Sequence, residues 1–456
     1  MSEILHVPVV VVGAGGTGLC AAIAASDAGA DVVVLERDAE LFGSTGMSTG
    51  LIPAAGTKEQ EAAGIIDSPA LFTQDIMKKT RGSTDEAMAL HLAESSAETI
   101  AWLRDTHHVP LTLADGWLYP GHSAMRMYGT PTRSGRELMT ALENAALNTG
   151  VMIVTNATVT DLIADDSGRV QSVKYTRPDG ETETIMCDAV ILACSGFGGN
   201  AALVEKFIPE MAAALFHGHP GNKGDALRWG QQLGAAMADL DSYQGHGGLA
   251  AGYGVPILWP LIMEGGVQVN KDGNRFSDET QGYSEQAAQV NAQPGHVAYS
   301  IFDQRLHELM LKFDDYVQAW EAGAVAHGGT YIELAEKLRL PESALTKTMV
   351  HVQRLCETSD SDEWGRRFGP KTLAAPFYGV KVTGALFHTQ GGLIVDKDAR
   401  VLRPDASPLP NLFAGGGAAR GISGTGAAGY MAGNGLLTAT TLGKLAGRAA
   451  AIGKGG

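Results

Sequence analysis

Three features of the sequence predict an α/β fold: a Rossmann-like domain, discontinuous in the chain, with an inserted α+β, helix-rich domain. The first is Val7–Glu36, where an apolar run, a glycine-rich turn, an Ala-rich stretch and a second apolar run follow one another directly. The second is the return of short, wholly apolar, strand-like runs at Ala189–Ala193 and Leu412–Ala414, each opening into glycines. The third is a change of character over 246–375, where amphipathic helical spacing replaces the buried-strand pattern. These divide the chain into 1–245, 246–375 and 376–456, with the outer two segments forming one domain and the middle one capping it.

Val9–Val12 is β-branched throughout, which suits a strand buried on both faces. Gly13, Gly15 and Gly18 then form a GxGxxG turn into a helix that runs to about Gly29. Gly13 allows the tight turn, Gly15 lets a pyrophosphate reach the backbone, and Gly18 lets helix and strand pack closely. The helix N-terminus supplies free N–H groups and the positive end of a dipole. Asp31–Leu35 is the second strand, and Glu36 ends it about 20 residues beyond the glycines, where an acid accepts from a ribose diol. Strand, turn, helix, strand and acid together predict a dinucleotide site. The loop Gly43–Gly50 is crowded with small residues, as befits backbone lying against a flat ring system, and Ser44 and Thr45 offer polar groups to it.

Helices are expected over 67–108, with Ser68-Pro69 as one start and Asp85–Asp105 as a second amphipathic run. Gly116–Gly135 is loop-like and rich in aromatics, and fits either a substrate-cavity lining or a solvated loop. Arg136–Gly150 reads as a helix with a glycine cap. Val151–Tyr175 alternates like a hairpin or meander around Asp165–Gly168. A helix begins at Asp225. Within 246–375, helices are expected near 303–324, 330–339 and 341–358, and a strand at Val267–Val269. A last, glycine-punctuated helix is expected over 426–452.

Composition excludes several classes of function. The formal charge of −16 over 456 residues argues against nucleic acid or an anionic membrane as partner. The 59 glycines exceed the roughly 7 per cent of ordinary chains and cluster at the turns named above, where backbone meets ligand. Cys20, Cys187, Cys194 and Cys356 form no CxxC, so no metal site and no disulfide framework is expected. No apolar run reaches about 18 residues without a glycine, and no signal-peptide pattern opens the sequence. A soluble, cytoplasmic protein is the expectation.

Read together, Gly13–Gly18 with Glu36, GSTGMSTG (43–50), ILACSGFGGN (191–200), KGDALRWGQQLGA (223–235), VNKDGNRFSDET (269–280), FHTQGGL (387–393) and LFAGGGAARG (412–421) resemble one superfamily of flavoproteins. It contains the soluble fumarate reductases, the succinate dehydrogenase flavoprotein subunits and the 3-ketosteroid dehydrogenases. The resemblance runs essentially end to end. It implies FAD, bound non-covalently because 43–50 lacks the histidine of the flavinylation motif, and a helix-rich cap over the flavin. The FAD contacts it implies are Gly13, Gly15, Gly16, Gly18, Glu36, Arg37, Gly43, Ser44, Thr45, Ser48 and Gly50. Further along they are Val159, Ala193, Ser195, Gly196, Asn200, Asp225, Gly415, Gly416, Asn434, Gly435 and Leu436.

The departures from the fumarate reductase pattern bear on substrate. The position matching its general-acid arginine, just after Arg275–Glu279, is Tyr283, and the carboxylate-clamping arginine aligns with Tyr430. The proton-relay Glu and Arg fall near Trp259 and Ile262, which carry no proton. His246 and His388 are retained. A dicarboxylate needs fixed guanidinium forks, so their replacement by phenols points to a neutral, partly apolar molecule. A tyrosine at 283 is similar to the ketosteroid dehydrogenases. The expected activity is α,β-dehydrogenation of a neutral ketone, such as a 3-ketosteroid or a smaller cyclic ketone, with hydride passing to flavin N5. Tyr283 is the expected base, and His388, Tyr430 and His246 are the further candidate catalytic residues. The alternatives are an ene-reductase of the fumarate reductase kind, with Arg126, Arg133 or Arg420 holding an acid, and a flavin-binding electron carrier without catalysis. The substrate, the electron acceptor and the oligomeric state are not legible.

Overall fold

The computed structural model describes residues 5–114 and 118–453. They form two compact units. One comprises 5–203, 218–243 and 388–453, and the other 204–217 and 244–387.

The first unit is built on an eight-stranded, largely parallel sheet. Its centre is β1 (His6–Val12), which pairs in parallel with β2 (Val32–Leu35) on one side and with Thr182–Leu192 on the other. Outward from these, Met152–Val154 lies parallel to β2, and Pro408–Ala414 parallel to Thr182–Leu192. Val9, Val10 and Val11 are fully buried, as a strand covered on both faces requires. Thr158–Ala164 and Val170–Thr176 form the expected antiparallel hairpin, which joins the sheet along Thr182–Leu192.

The helix α1 (Gly16–Asp27) follows β1 and is buried over Gly16–Ala25. It packs against the helix Asn434–Ile452 through small residues. A Cβ on Gly443 would stand 2.5 Å from the Thr17 carbonyl oxygen, and one on Gly447 2.1 Å from that of Ala21. No larger side chain fits there. The helix expected over 426–452 starts only at Asn434, because Gly426 (φ +64°) and Gly433 (φ +83°) are left-handed and turn the chain before it. Pro69–Lys79 is capped by Ser68, as the sequence implies, and Glu86–Ala101 by the Asp85 side chain.

The second unit contains a six-stranded sheet in addition to its helices. Phe377–Thr389 is its axis. Val297–Asp303 and Val325–Gly328 pair antiparallel with that strand, and Leu215–Phe216 pairs in parallel with it. This is why the unit takes in 204–217 and reaches residue 387 instead of stopping at 375: the axial strand and one of its partners lie outside 246–375. The single helix expected at 303–324 is two, Gln304–Met310 and Asp314–Glu321, separated by 311–313. Tyr331–Leu338 and Glu342–Thr358 follow. Among the described residues no helix is long and apolar enough to cross a membrane.

Candidate active site

The glycine turn of the first unit is shaped by three different constraints. Gly13 has φ +101°, and a Cβ on it would meet the Ala193 carbonyl oxygen at 2.7 Å. A Cβ on Gly18 would sit 1.8 Å from the Gly13 carbonyl oxygen. Gly15 differs: its φ is an ordinary −73°, and a Cβ there would meet nothing within 4 Å. The space before Gly15 is therefore a cradle that only a methyl-free backbone keeps open. It faces the start of α1, which has no side-chain cap.

Around this cradle the predicted contacts take their places. The Glu36 carboxylate accepts from the Ala14 N–H at 2.7 Å and the Asp38 N–H at 3.0 Å, which fixes it at the end of β2 with lone pairs to spare for a diol. Gly43–Gly46 is a short helical turn, and a Cβ on Gly43 would stand 3.8 Å from the Gly15 Cα. The Thr45 hydroxyl accepts from the Gly16 N–H, Ser48 donates to the Thr45 carbonyl, and the Gly50 N–H donates to Ser48. Gly415 and Gly416 leave no room for a Cβ against Thr17, and Gly196 leaves none against Thr389. Ser195 has φ +64° at the turn after Thr182–Leu192, next to Ala193. Val159 is buried on its strand. Asn434 is fully buried at the first turn of its helix, and its Oδ1 has no partner among the described residues, while a Cβ on Gly435 would come no closer than 3.9 Å to Gln390. Leu436 follows on that helix.

Several predicted contacts are engaged elsewhere through their side chains. Arg37 donates to the Gly221 carbonyl and to Asp38, and lines a cleft of about 360 Å³ with Thr158, Thr160 and Arg177. Asn200 donates to the Lys223 carbonyl, Ser44 accepts from Asn222, and Asp225 pairs with Arg228 at 3.3 Å. An open cradle at the N-terminus of α1, an acid fixed beside it and a buried, unsatisfied amide oxygen at a second helix start form a set of polar groups that fits FAD. The residues that would hold it are Gly15, the first turn of α1, Glu36 and Asn434.

Two of the four candidate catalytic residues belong to this unit. His388 accepts from Gln390 Nε2 at its Nδ1 (2.9 Å), which leaves the ring proton on Nε2. Burial pushes its pKa down to about 4, so it is neutral at pH 7. Gln390 in turn accepts from Ser423. Tyr430 is buried, and burial raises its phenol above the usual range. Gln390 and Thr389 went unnoticed as site residues, although both lie inside the FHTQGGL motif.

The other two stand together in the second unit. Tyr283 opens the helix Tyr283–Asn291 and packs against an apolar cluster that contains Trp259, Ile257 and Ile262. Its ring stacks on His246 with centroids 5.4 Å apart and planes 29° apart, and Trp259 borders both. The Gly248 N–H donates to His246 Nδ1 at 3.1 Å, so the proton of this imidazole also sits on Nε2. Burial first, and His217 second, push its pKa down to about 3. On its other contact it stacks with Phe387 at 5.2 Å, a residue the sequence reading passed over. The Ser284 hydroxyl accepts from the Gly245 N–H, which ties the His246 strand to the Tyr283 helix. Beneath that helix start, Arg275 and Arg366 both donate to the buried Glu279. Burial alone would raise the Glu279 carboxyl, but Arg366 and Arg275 hold it below its ordinary value.

Two arginines considered as acid holders are already committed. Arg126 is fully buried, with a fork onto Asp67 (2.8 and 2.9 Å) and a bond to Asp75 (2.6 Å). Arg420 bonds Asp239 at 2.6 Å and approaches Asp85 at 3.6 Å.

Comparison with known proteins agrees with the cradle. A family model described as FAD binding domain matches residues 8–436. A curated relative, fumarate reductase (cytochrome) of Shewanella frigidimarina, is 29% identical over 98% of this chain and 77% of its own length. The structure of the open conformation of a flavocytochrome c3 fumarate reductase superposes with a TM-score of 0.86 at 28% identity, covering 99% of this chain and 79% of that one. That of 3-ketosteroid-Δ4-(5α)-dehydrogenase from Rhodococcus jostii RHA1, in complex with 4-androstene-3,17-dione, superposes with a TM-score of 0.78 at 25% identity, covering 99% of this chain and 98% of that one.

Proposed function

The chain belongs to the FAD binding domain family, and from that premise we propose that it dehydrogenates a neutral ketone at its α,β carbons. It is an FAD-dependent oxidoreductase acting on CH–CH groups. The observation that carries the ketone reading is the aromatic wall formed by Trp259, Tyr283 and His246, whose imidazole is neutral at pH 7. Arg126 and Arg420 are bound to aspartates and not offered to a substrate acid. A carboxylate buried without a cation is costly, whereas a ketone needs only hydrogen bonds.

In this reading the His246 Nε2–H donates to the ketone oxygen and makes the neighbouring C–H more acidic. The Tyr283 oxygen, acting as phenolate, takes that proton and becomes the phenol, which later returns it to solvent. Bound FAD supplies the two-electron acceptor for the hydride leaving the adjacent carbon. The substrate thus loses one proton and one hydride and gains a C=C bond. His388 and Tyr430 remain candidates for a further hydrogen bond to the substrate. We also read the FAD as non-covalent and the protein as cytoplasmic, its four cysteines being unpaired thiols. A second reading, reduction of a C=C bond by the reverse steps, is favoured by the likeness to a fumarate reductase over 98% of this chain.

Anaerobic mixing of the purified flavoprotein with cyclohexanones, a 3-ketosteroid, succinate and, after reduction, fumarate tests the proposal. A ketone bleaches the flavin band and yields an enone. Succinate oxidation or fumarate reduction at rates comparable to a ketone would refute it.

A further inference from the structure

His217 has no part in the reaction above. It follows the short strand Leu215–Phe216 in the second unit, and its backbone N–H donates to the Leu386 carbonyl at 2.8 Å. That bond sets the imidazole beside Phe387, with ring centroids 4.9 Å apart and planes tilted by 41°. His246 stacks on the same phenyl ring at 5.2 Å and 15°. Two imidazoles therefore flank one six-membered ring, and the row continues from His246 to Tyr283 and Trp259. The His217 ring is half-buried, and among the described residues neither of its nitrogens has a hydrogen-bond partner.

We propose that His217 is a specificity-determining residue that receives a second, uncharged oxygen of the substrate. The preferred substrate is then a cyclic ketone with a hydroxyl or carbonyl across the ring from the reactive carbonyl. This rests on the ketone reading, with His246 at the reactive oxygen. Spacing supports it, because both imidazoles are held against the same phenyl ring, at 4.9 and 5.2 Å, close enough together for one small substrate ring to bridge them. Charge supports it as well. Burial lowers the His217 pKa, so the ring is neutral at pH 7 and offers one donor and one acceptor. That matches a hydroxyl or a carbonyl, whereas a carboxylate would find no fixed cation there.

The test compares cyclohexanone, 4-hydroxycyclohexanone, 1,4-cyclohexanedione and 4-oxocyclohexanecarboxylate with the FAD-loaded full chain, following flavin reduction and steady-state KM and kcat. The wild type is expected to favour the two doubly oxygenated neutral ketones by about 3- to 10-fold in KM, the range of one neutral hydrogen bond, at similar kcat. His217→Phe keeps the ring contact with Phe387 and should abolish that preference while leaving cyclohexanone unchanged. His217→Gln should restore part of it, and reads the same question should the Phe variant fail to fold. Turnover of all four ketones without discrimination, or discrimination that survives in both variants, would overturn the assignment and leave the ketone reading intact. A preference for the 4-carboxylate over the 4-hydroxyl would overturn the uncharged class. Failure of every ketone to reduce the flavin would remove the ketone reading itself, and this inference with it.

Discussion

Gly15 and Gly18 sit in the same turn, yet the structure predicts opposite fates for their alanine variants. At Gly15 the backbone is one that any residue adopts, and the added methyl meets no atom of the protein. Two small terms then act on the apoprotein. Alanine reduces the freedom of the unfolded chain, which stabilises by about 0.4–1 kcal/mol. It is also a poorer residue than glycine at a helix start, which costs up to roughly 1 kcal/mol. They nearly cancel, so the melting temperature of apo Gly15→Ala should stay within about 3 °C of the parent. In the holoprotein the methyl enters the space that the phosphates need. Overpacking of this kind costs about 1–3 kcal/mol, or roughly 5- to 150-fold in FAD Kd. At Gly18 the methyl lies 1.8 Å from the Gly13 carbonyl oxygen, a backbone atom that cannot yield without moving the turn. Gly18→Ala should therefore destabilise the apoprotein itself, by about 3 kcal/mol or more. The assays are thermal melts of apoprotein and FAD titration by fluorescence quenching. A Gly15→Ala protein that melts normally and binds FAD with the parent's Kd would refute the reasoning.

Three more predictions follow from the site. Acid precipitation should release all yellow chromophore into the supernatant, since 43–50 carries no histidine for a covalent link; flavin retained in the denatured pellet contradicts this. Tyr283→Phe should keep FAD yet slow flavin reduction by a ketone roughly 10²–10⁴-fold, the usual loss when an acid–base group is removed; an unchanged single-turnover rate would show that the phenol only packs. His246 and His388, held near 3 and 4 by burial, give full stability above the unfolded value of about 6.5 and lose it as pH falls toward those folded values. Each contributes a loss of about 2 kcal/mol between pH 6.5 and 5. Urea midpoints across that range should therefore fall, and fall less in His246→Gln; a wild-type midpoint that stays level contradicts the neutral, buried assignment.

How far the sequence could be read depended on whether the information was local. Gly13–Gly18 and Glu36 were legible because turn, helix start and acid follow one another along the chain, and each has a steric or electrostatic reason to be what it is. The cap at Ser68 was legible for the same reason. The sheet of the second unit was not. Its axial strand Phe377–Thr389 pairs with segments as distant as Leu215–Phe216, and a two-residue strand has no period to detect. The His246–Phe387 stack and the fork of Arg126 onto Asp67 are likewise contacts between distant segments, invisible until the fold brings them together. That is why Arg126 looked available for a substrate acid. The start of the last helix was misplaced because Gly426 and Gly433 are helix-tolerant in composition but left-handed in fact.

The seam between α1 and Asn434–Ile452 has a consequence for biosynthesis. α1 leaves the ribosome about 400 residues ahead of the glycine face that covers it, Gly443 and Gly447. At roughly 5–20 residues per second, the apolar side of α1 waits tens of seconds for its partner. Throughout that interval the β1–α1 turn lacks the element that locks it, so the nascent chain should acquire neither its final packing nor cofactor affinity until Asn434–Ile452 has emerged. A stalled or prematurely terminated chain would present a sticky, incomplete sheet to chaperones and proteases. Quality control of this protein is thus tied to the emergence of Asn434–Ile452.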